Sequence, residues 1–443
     1  MKAAPHGWFA TAISEVAQVI GGGTPPSKDE ACFASPGQGI PWLTPADLSG
    51  YKRQVIARGS RDLTPAGLAA CSAKVMPAGA VLFSSRAPVG YVAIASNPVA
   101  TNQGFKSFVF AQDIDSRFAY YQLKHIKPIA EALATGTTFK ELSGSAAEKL
   151  PFLVAPAAEQ KRIADKLDTV LTRVDAVSAR LARVAPLLKR FRQSVLAAAT
   201  SGRLTDDWRK NLGRLSATEG LPPQWQAASI ATAAINQDNL RRPISEVERR
   251  ERQGTFNYYG ASGVIDTIDG FTHEGDFLLI GEDGANLLTR SKPIAFRASG
   301  RIWVNNHAHV LTHPSIARLT YLSFAINAID LSPWVTGSAQ PKLTRKAMDL
   351  IPVPLPPEDE QTEIVRRVDI LFAFADRLEA RLKAAQAAAG RLTPALLAKA
   401  FRGELVPQDP DDEPASELLR RLQAASDQRA PARAAGRGRK RSI

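Results

Sequence analysis

The sequence predicts an α+β fold in which two mixed α/β domains are separated by two long helices packed as an antiparallel coiled coil. Three observations lead to this prediction. The second half of the 443-residue chain repeats the first after a shift of 201 residues. The back part of each repeat carries apolar residues at helical spacing. The front part of each repeat carries short apolar runs between turns rich in glycine and proline.

The internal duplication is clearest over residues 118–204. With the 201-residue shift, Glu159-Gln160 falls on Glu360-Gln361 and Gly202 falls on Gly403 without a gap. Upstream of this region the register drifts, so the front parts of the two repeats differ strongly. We therefore expect two large units with dissimilar front parts rather than a solenoid of short repeats.

The front part of each repeat has the pattern of several short strands followed by a helix. The predicted strands are 80–83, 90–94, 105–110, 276–280, 301–304 and 308–311. The predicted helices lie near 116–131 and 315–328. These patterns predict one mixed α/β domain over 1–155 and another over 221–356, with a linker over 205–220 before the second domain.

The back part of each repeat predicts a long helix, over 156–204 and over 357–405. Apolar residues recur at alternating spacings of three and four, as in the a/d seam of a coiled coil. The predicted helix-pairing seam consists of Ile163, Leu167, Val170, Val174, Val177, Leu181, Ile364, Val368, Leu371, Leu378 and Leu382. Pro186 should interrupt the first helix, and Gly390 with Thr393-Pro394 should stop the second helix and start a new one.

Two seams of this length in one chain favour packing of the helices against each other. An antiparallel pair would place the two front parts at opposite ends, and residues 158–184 would span roughly 40 Å at about 1.5 Å per residue. The alternative is two ordinary helices, each buried on its own domain. The length of the seam favours the pair.

The charge of the chain favours a polyanionic partner. The formal net charge is +13, and nucleic acid is the first candidate for such a partner. Residues 429–443 carry six basic residues and no acid, and we expect 406–443 to be a disordered basic tail. No run reaches 18 apolar residues, so no membrane partner is expected. Cys32 and Cys71 are too few for a disulfide framework, which indicates a reducing, cytoplasmic setting.

The motifs of catalysis are missing from the sequence. The Gly21–Gly23 run lacks the residue order of a phosphate loop. Asn97-Pro98 continues with Val99, which breaks the tetrapeptide of adenine methyltransferases. Four acids are scattered without a lysine in nuclease spacing: Asp266, Asp269, Glu282 and Asp283. We therefore expect a chain that binds but does not catalyse, with no cofactor of its own.

Three histidines form an H-x-H-x-x-x-H cluster: His307, His309 and His313. Two of them would share a strand face, so a metal site is one interpretation. The metal site is disfavoured, and no metal ligand is predicted. As an alternative to DNA contact, His307 and Asn305-Asn306 would have a structural role and satisfy buried loop amides.

Short motifs recur in a fixed order along both repeats. In the first they are Gly22–Pro25, Ile40–Thr44, Leu63–Gly67, Ser84–Gly90, Thr101–Phe105, Gly136–Leu142, Glu159–Ile163, Phe191–Leu196 and Ser201–Thr205, with Trp208 after. In the second they are Gly254–Gly260, Asn305–Leu311, Gly337–Leu343 and Glu360-Gln361. Each motif is weak alone. Their order and duplication together resemble the specificity subunit of Type I restriction–modification enzymes, from about Trp8 to Leu405.

The resemblance implies a division of labour within a larger complex. The two α/β domains would be target-recognition domains, each reading one half of a split double-stranded DNA target, and the helices would dock two methyltransferase (modification) subunits. N6-adenine methylation with S-adenosylmethionine would belong to those subunits, and cleavage with ATP and Mg²⁺ to motor/nuclease restriction subunits. Since the front parts differ, the half-sites should differ. The alternative is a coiled-coil scaffold or adaptor without sequence-specific DNA reading.

The DNA contacts should come from a few polar and basic side chains. Phosphate contacts are expected from Lys, Arg and loop amides, and base contacts from Arg, Asn, Gln or Ser. The predicted DNA-binding residues are Ser84, Ser85, Arg86 and Lys140 in the first domain, and Tyr258, Asn286, Arg290 and Lys342 in the second. The alternative for each is a solvated or fold-stabilising role.

Overall fold

The computed structural model describes residues 4–136, 140–215, 220–337 and 339–429. The chain divides into two compact units. The first consists of 1–180 with 386–443, and the second of 181–385. Each unit contains one α/β domain and parts of the long helices, which agrees with the predicted fold class.

The α/β domain of the first unit is built around a mixed sheet. Its strands and helices are β1 (Phe9–Ala12), β2 (Ala17–Gly21), β3 (Phe33–Ala34), β4 (Ile40–Leu43), β5 (Val55–Ile56), β6 (Arg61–Leu63), α1 (Pro65–Ala69), β7 (Val81–Phe83), β8 (Val92–Ala95), β9 (Ala100–Thr101), β10 (Lys106–Phe110), α2 (Ser116–His125), α3 (Lys127–Leu133), α4 (Gly144–Glu148), β11 (Pro151–Val154) and α5 (Ala157–Ala182). The main sheet has the order β2-β10-β7-β8-β5. A second sheet has the order β3-β6-β4-β9, and β1 pairs with β11.

The second unit repeats this plan with a larger sheet. Its elements are α6 (Val184–Thr200), α7 (Asp206–Asn211), β12 (Gln226–Ser229), α8 (Ile230–Ala233), β13 (Ile235–Asn236), α9 (Glu246–Glu251), β14 (Phe256–Gly260), β15 (Gly263–Ile268), β16 (His273–Gly281), α10 (Asn286–Thr289), β17 (Ala295–Val304), β18 (Ala308–Thr312), α11 (Ile316–Ala328), α12 (Arg345–Asp349), β19 (Pro352–Leu355) and α13 (Glu358–Ala400), which continues into the first unit before α14 (Ala415–Arg429). The sheet order is β13-β18-β16-β17-β14-β15, and β12 pairs with β19.

A central strand is buried on both faces in each domain. In β7, Val81 and Phe83 pack in the core that contains α2, while Leu82 packs in a second core on the other face. In β16, Leu278 and Ile280 pack in the core that contains α11, and the neighbouring residues pack on the other face. Because alternate strand residues point to opposite faces, both domains have two cores separated by one sheet.

The long helices pack against each other in the second unit. Leu188 of α6 clusters with Ala375 and Leu382 of α13, and Ala199 clusters with Ile364 farther back along α13. Residue numbers rise along α6 as they fall along α13, so the pair is antiparallel. In the first unit, the same kind of contact joins α5 to the end of α13: Ile163, Leu167 and Leu171 lie in one core with Leu397 and Ala400.

Every predicted seam residue except Val177 is buried or half-buried. Buried members are Ile163, Leu167, Val174, Ile364, Val368 and Leu382, and half-buried members are Val170, Leu181, Leu371 and Leu378. Val177 is 47% exposed, and Leu171 is buried where Val170 is only half-buried. The buried stripe follows spacings of four, four and three from Ile163, which is closer to the 3.6-residue period of a straight helix than to a strict heptad.

The predicted stop at Gly390 is also wrong, because α13 continues through Pro394 to Ala400. Proline removes one backbone donor from the helix and leaves the carbonyl of Gly390 without its usual partner. Both Gly390 and Pro394 are exposed, so water can satisfy that carbonyl. Burial of Ala389 and Leu397 on either side stabilises the helix across the proline. By contrast, α5 ends at Ala182, shortly before Pro186.

Two segments predicted to lack a core role are ordered. Within the predicted linker 205–220, α7 carries Arg209, which is buried. Within the predicted disordered tail 406–443, α14 buries Leu418 and Leu419 in the first unit's core. Burial of this apolar pair packs α14 against the core. The prediction of a disordered tail missed the pair because it was based on the basic composition of the end of the chain. Residues 430–443 lie outside the described residues.

Candidate nucleic-acid interface

The end of β7 in the first domain leads into a tight turn. Ser84 is fully buried, and its hydroxyl donates to the carbonyl of Pro88 (2.7 Å) and accepts from the amide of Tyr91 (2.8 Å). Ser85 is also fully buried, and its amide donates to the carbonyl of Gly104 (2.7 Å). The prediction that these serines contact DNA does not fit their burial. Their hydrogen bonds close the turn and hold the next residue, Arg86, in place.

Arg86 is the accessible charged residue of this turn, next to the exposed Ala87 and Pro88. Its Nη1 lies 3.3 Å from Oε2 of Glu141, and Lys106 Nζ lies 3.7 Å from Oε1 of the same carboxylate. The side chain is 35% exposed. A cavity of about 450 Å³ opens beside it, lined in part by Thr44 and Asn102. A guanidinium held on one side by a carboxylate keeps its remaining donors in a defined orientation, which suits recognition of a planar acceptor pair.

Lys140 lies beside Glu141 and is exposed. The neighbouring motif residues Thr137–Phe139 lie outside the described residues. An exposed lysine next to the Arg86–Glu141 pair has the chemistry of a phosphate contact rather than a base contact.

The second domain has the same backbone arrangement at the end of β16. The amide of Glu282 donates to the carbonyl of His307 (2.9 Å), and the amide of Leu343 donates to the carbonyl of Glu282 (2.7 Å). In the first domain, Ser85 makes the matching bonds with Gly104 and Leu142. Each domain therefore clamps a residue just beyond its central strand between two loops in the same way: the second residue after β7 and the first after β16.

The side chains at this junction differ between the domains. Lys342 Nζ lies 3.1 Å from Glu282 Oε1, and Arg241 Nη1 lies 2.6 Å from Oε2. Burial acts to raise the pKa of Glu282, but Arg241, His309 and Lys342 outweigh burial and hold the pKa below its usual range. Under the 201-residue shift, the anion Glu141 falls on the cation Lys342. The two junctions thus share a scaffold and carry different charge patterns.

The three clustered histidines have separate partners. His309 is buried, with Nδ1 2.6 Å from Asp238 Oδ2 and Nε2 2.9 Å from the carbonyl of Leu343. His307 Nδ1 lies 2.7 Å from Asp283 Oδ2. His313 Nδ1 accepts from the amide of Ser315. Among the described residues, no group of three or more His, Cys, Asp or Glu side chains has the arrangement of a metal site.

The side chains of Tyr258 and Asn286 are engaged in contacts within the second domain. Tyr258 is 1% exposed, its hydroxyl accepts from the amide of Ile244, and Arg249 stacks on its ring at 4.9 Å. Asn286 donates to the carbonyl of Lys292 (3.2 Å) and accepts from its amide (3.0 Å), which closes a local loop. Neither arrangement supports the predicted direct contact with DNA.

Arg290 also has internal partners. It adopts a left-handed backbone conformation (φ 49°). Its guanidinium donates to the carbonyls of Asn327 (3.0 Å) and Ile329, which end α11. Burial lowers the pKa of Arg290, although Asp330 acts in the opposite direction. Arg290 therefore satisfies the free carbonyls of a helix C-terminus, as cations often do.

Four charged residues of these junctions escaped the sequence reasoning: Lys106, Glu141, Asp238 and Arg241. Arg241 and Asp238 pair with each other three residues apart, but their other partners and those of Glu141 lie far away in the sequence, 55 residues for Arg86 with Glu141 and 41 for Arg241 with Glu282. The one signal available was the duplication, which places Glu141 at the position of the predicted contact Lys342.

The comparisons with known proteins agree on one family. The family model described as the Type I restriction modification DNA specificity domain matches residues 5–184 and 233–385. The chain belongs to this family. The Type I restriction enzyme EcoBI specificity subunit of Escherichia coli is 31% identical over 74% of this chain and 76% of its own length. The EcoKI specificity subunit of Escherichia coli strain K12 is 29% identical over 95% of this chain and 96% of its own length.

Other relatives match over a smaller part or by fold alone. The MjaIX specificity subunit of Methanocaldococcus jannaschii is 39% identical over 37% of this chain and 38% of its own length. The HsdS subunit of Thermoanaerobacter tengcongensis is similar in structure, with a TM-score of 0.54, 19% identity and coverage of 91% of this chain and 98% of that one. A chain from a study of complex assembly in the type I R-M system gives a TM-score of 0.64, with 16% identity over 91% of this chain and 100% of that one.

The fold of these specificity subunits is therefore shared by this chain, as the sequence motifs predicted. In the part of the chain that the structure describes, no helix combines the length and the apolar character needed to cross a membrane.

Proposed function

We propose that this specificity subunit reads a split, asymmetric double-stranded DNA target through its two α/β domains. The observation that supports this proposal is the pair of strand-end junctions. Both clamp a residue just beyond the central strand with the same backbone hydrogen bonds, but one carries Arg86 with Glu141 and the other carries Glu282 and Asp283 with Lys342. A common scaffold with different side chains suits two readers of different half-sites.

The chemistry of modification and cleavage belongs to partner subunits in this proposal. Two adenine-methyltransferase subunits, carrying S-adenosylmethionine, would dock on the helices and be directed to the target, and motor/nuclease restriction subunits would use ATP and Mg²⁺. Exposed apolar side chains on the helices support a docking role, since Leu187 is 52% exposed, Ile370 55% and Phe374 48%. The cytoplasm, where DNA and these subunits meet, is the proposed location.

The first experiment is long-read methylome sequencing of a host that expresses this chain with its modification subunit, against a host that lacks only this chain. We expect a two-part asymmetric motif with methylated adenine on both strands, present only with this chain. Co-purification of two modification subunits would establish the assembly. A stable complex that produces no motif would contradict DNA reading and favour the scaffold alternative.

Arg86→Ala should weaken DNA binding by the assembled complex and relax the motif in one half only. Loss of an oriented guanidinium contact corresponds to about 1–3 kcal/mol of discrimination at one base pair. The complex should assemble as before, because Arg86 is a partly exposed side chain at the edge of the turn. Unchanged affinity together with an unchanged motif would exclude Arg86 as a contact.

A further inference from the structure

His307 lies in the turn between β17 and β18 of the second domain, and its backbone is fixed on both sides. Its amide donates to Oδ1 of Asn305 (2.8 Å), and its carbonyl accepts from the amide of Glu282 (2.9 Å). The turn is thereby tied to the end of β16. These bonds hold the backbone of His307 in a defined position relative to the sheet.

The imidazole ring is also fixed, but from one side only. Nδ1 lies 2.7 Å from Oδ2 of Asp283, whose side chain is only 16% exposed, while the His307 side chain is 47% exposed. A carboxylate requires a donor, so Nδ1 carries a proton in this pair. Among the described residues, Nε2 of His307 has no hydrogen-bond partner. The ring is thus an oriented group with one polar atom left for a ligand.

The other two histidines of the cluster, His309 and His313, have structural roles. Both ring nitrogens of His309 are engaged, by Asp238 and by the carbonyl of Leu343, and the residue is buried. Both ring nitrogens of His313 are engaged, by the Ser315 amide and by Arg318 Nη1 at 3.1 Å. Within the described part of this cluster, His307 alone keeps a ring nitrogen without a protein partner.

We propose that His307, oriented by Asp283, is a specificity-determining residue that contacts one base edge in the second half-site. This inference rests on the proposed function. In the neutral ring, with its proton on Nδ1, Nε2 is an acceptor. The base groups that donate in the major groove are the amino groups of adenine and cytosine. The contacted base is therefore an adenine or a cytosine, and Asp283 is a positioning residue.

The first domain has no counterpart of the His307 side chain. The residue that occupies the matching place in the backbone clamp is Gly104, which has no side chain, and its amide is held by Asn102 Oδ1 (2.9 Å) as that of His307 is held by Asn305. In the first domain the exposed side chain at the junction is Arg86 instead. The two half-sites are thus read from different corners of the same scaffold.

The test is the methylome of hosts that express the full complex with four versions of this chain: wild type, His307→Ala, Asp283→Asn and His313→Ala. We expect His307→Ala to reduce discrimination at one adenine or cytosine position of one half-site by roughly tenfold or more. Asp283→Asn should relax the same position to a smaller degree. His313→Ala, the matched control at the other end of β18, should leave the motif unchanged.

The outcomes separate this inference from the proposed function. An unchanged motif in His307→Ala, with the wild-type motif present, overturns the role of His307 and leaves the function intact. Loss of all methylation in both His307→Ala and Asp283→Asn, with the complexes still assembled, assigns these residues a structural role and also overturns the inference. Absence of any motif with the wild-type chain overturns the function itself.

Discussion

Two buried glutamates occupy equivalent places at the starts of α5 and α13, and they are neutralised differently. Glu360 Oε1 is paired with Arg209, which is itself buried, and also accepts from Thr205 (2.7 Å), while Oε2 accepts from Trp225 Nε1 (3.0 Å). Glu159 Oε2 accepts from Trp8 Nε1 (2.9 Å), but no buried cation faces it among the described residues. The indole bond is common to both units, and the counter-charge is not.

The segments that cover the two glutamates account for this difference. In the second unit, α7 follows Gly202, a left-handed residue (φ 79°) whose carbonyl accepts from Arg209 at 2.5 Å. In the first unit, the segment that leads into α14 places Gln408 and Asp412 near Glu159, and neither of these side chains is a cation. The duplicated helix start thus retains an acid as an acceptor for tryptophan, while the covering segment decides whether its charge is paired.

Removal of the paired cation should have the largest effect. Arg209→Met would leave Glu360 buried without its counter-charge, and we expect a loss of about 3–5 kcal/mol in the free energy of unfolding. Chemical denaturation of the full chain measures this loss. Lys210→Met is the matched control: Lys210 is exposed and pairs with Asp206 at the surface, so it should cost no more than about 0.5 kcal/mol. Equal effects of the two variants would contradict the importance of the buried pair.

The sequence predicted the two long helices better than it predicted the segments that pack against them. The apolar period predicted both long helices and most of the seam, because burial of one helix face depends on local spacing. It missed the continuation through Pro394, since the packing of Ala389 and Leu397 that stabilises the helix there is tertiary. It also classed Arg209 as part of a linker, because the partner Glu360 lies 151 residues away.

The candidate site was predicted less well for a related reason. The motif around Ser84–Arg86 pointed to the correct turn, but the motif does not show which side chains point inward. Ser84 and Ser85 continue a strand that is covered on both faces, so they are buried, and the first accessible residue is Arg86. The predicted structural role of His307 and Asn305 agrees with their hydrogen bonds to loop amides, but the sequence did not show that the His307 ring is exposed while the His309 ring is buried.

Replacement of each tryptophan by phenylalanine should have an intermediate effect on stability, and the effect should differ between the two glutamate sites. Trp8→Phe removes the indole donor that lies 2.9 Å from Glu159, where no buried cation faces the carboxylate among the described residues, whereas Trp225→Phe leaves Glu360 with Arg209 and Thr205. The cost of lost volume is similar in both. We expect Trp8→Phe to cost about 1–3 kcal/mol more than Trp225→Phe in denaturation of the full chain. The reverse order would show that another group already satisfies Glu159.

The smallest expected effect on stability comes from the buried carboxylate of Glu159, which has no buried counter-charge among the described residues. Burial raises the pKa of Glu159, and Asp412 adds to this, although Trp8, Arg162 and Gln408 act in the opposite direction. The folded protein therefore binds this proton more tightly than the unfolded chain, whose glutamate pKa is about 4.3. Stability from this group is fully present below that value and is lost as the pH rises through the raised pKa of the folded state.

Glu159→Gln removes this loss while it keeps an acceptor for Trp8. We expect the variant to be more stable than the wild type by about 1 kcal/mol at pH 7, with a difference that narrows as the pH falls toward about 4. Glu360→Gln should do the opposite at pH 7, because buried Arg209 would lose its counter-charge. Urea denaturation of the three proteins across this pH range measures both differences. A gap between Glu159→Gln and wild type that does not change with pH would mean that the Glu159 charge is compensated as fully as that of Glu360.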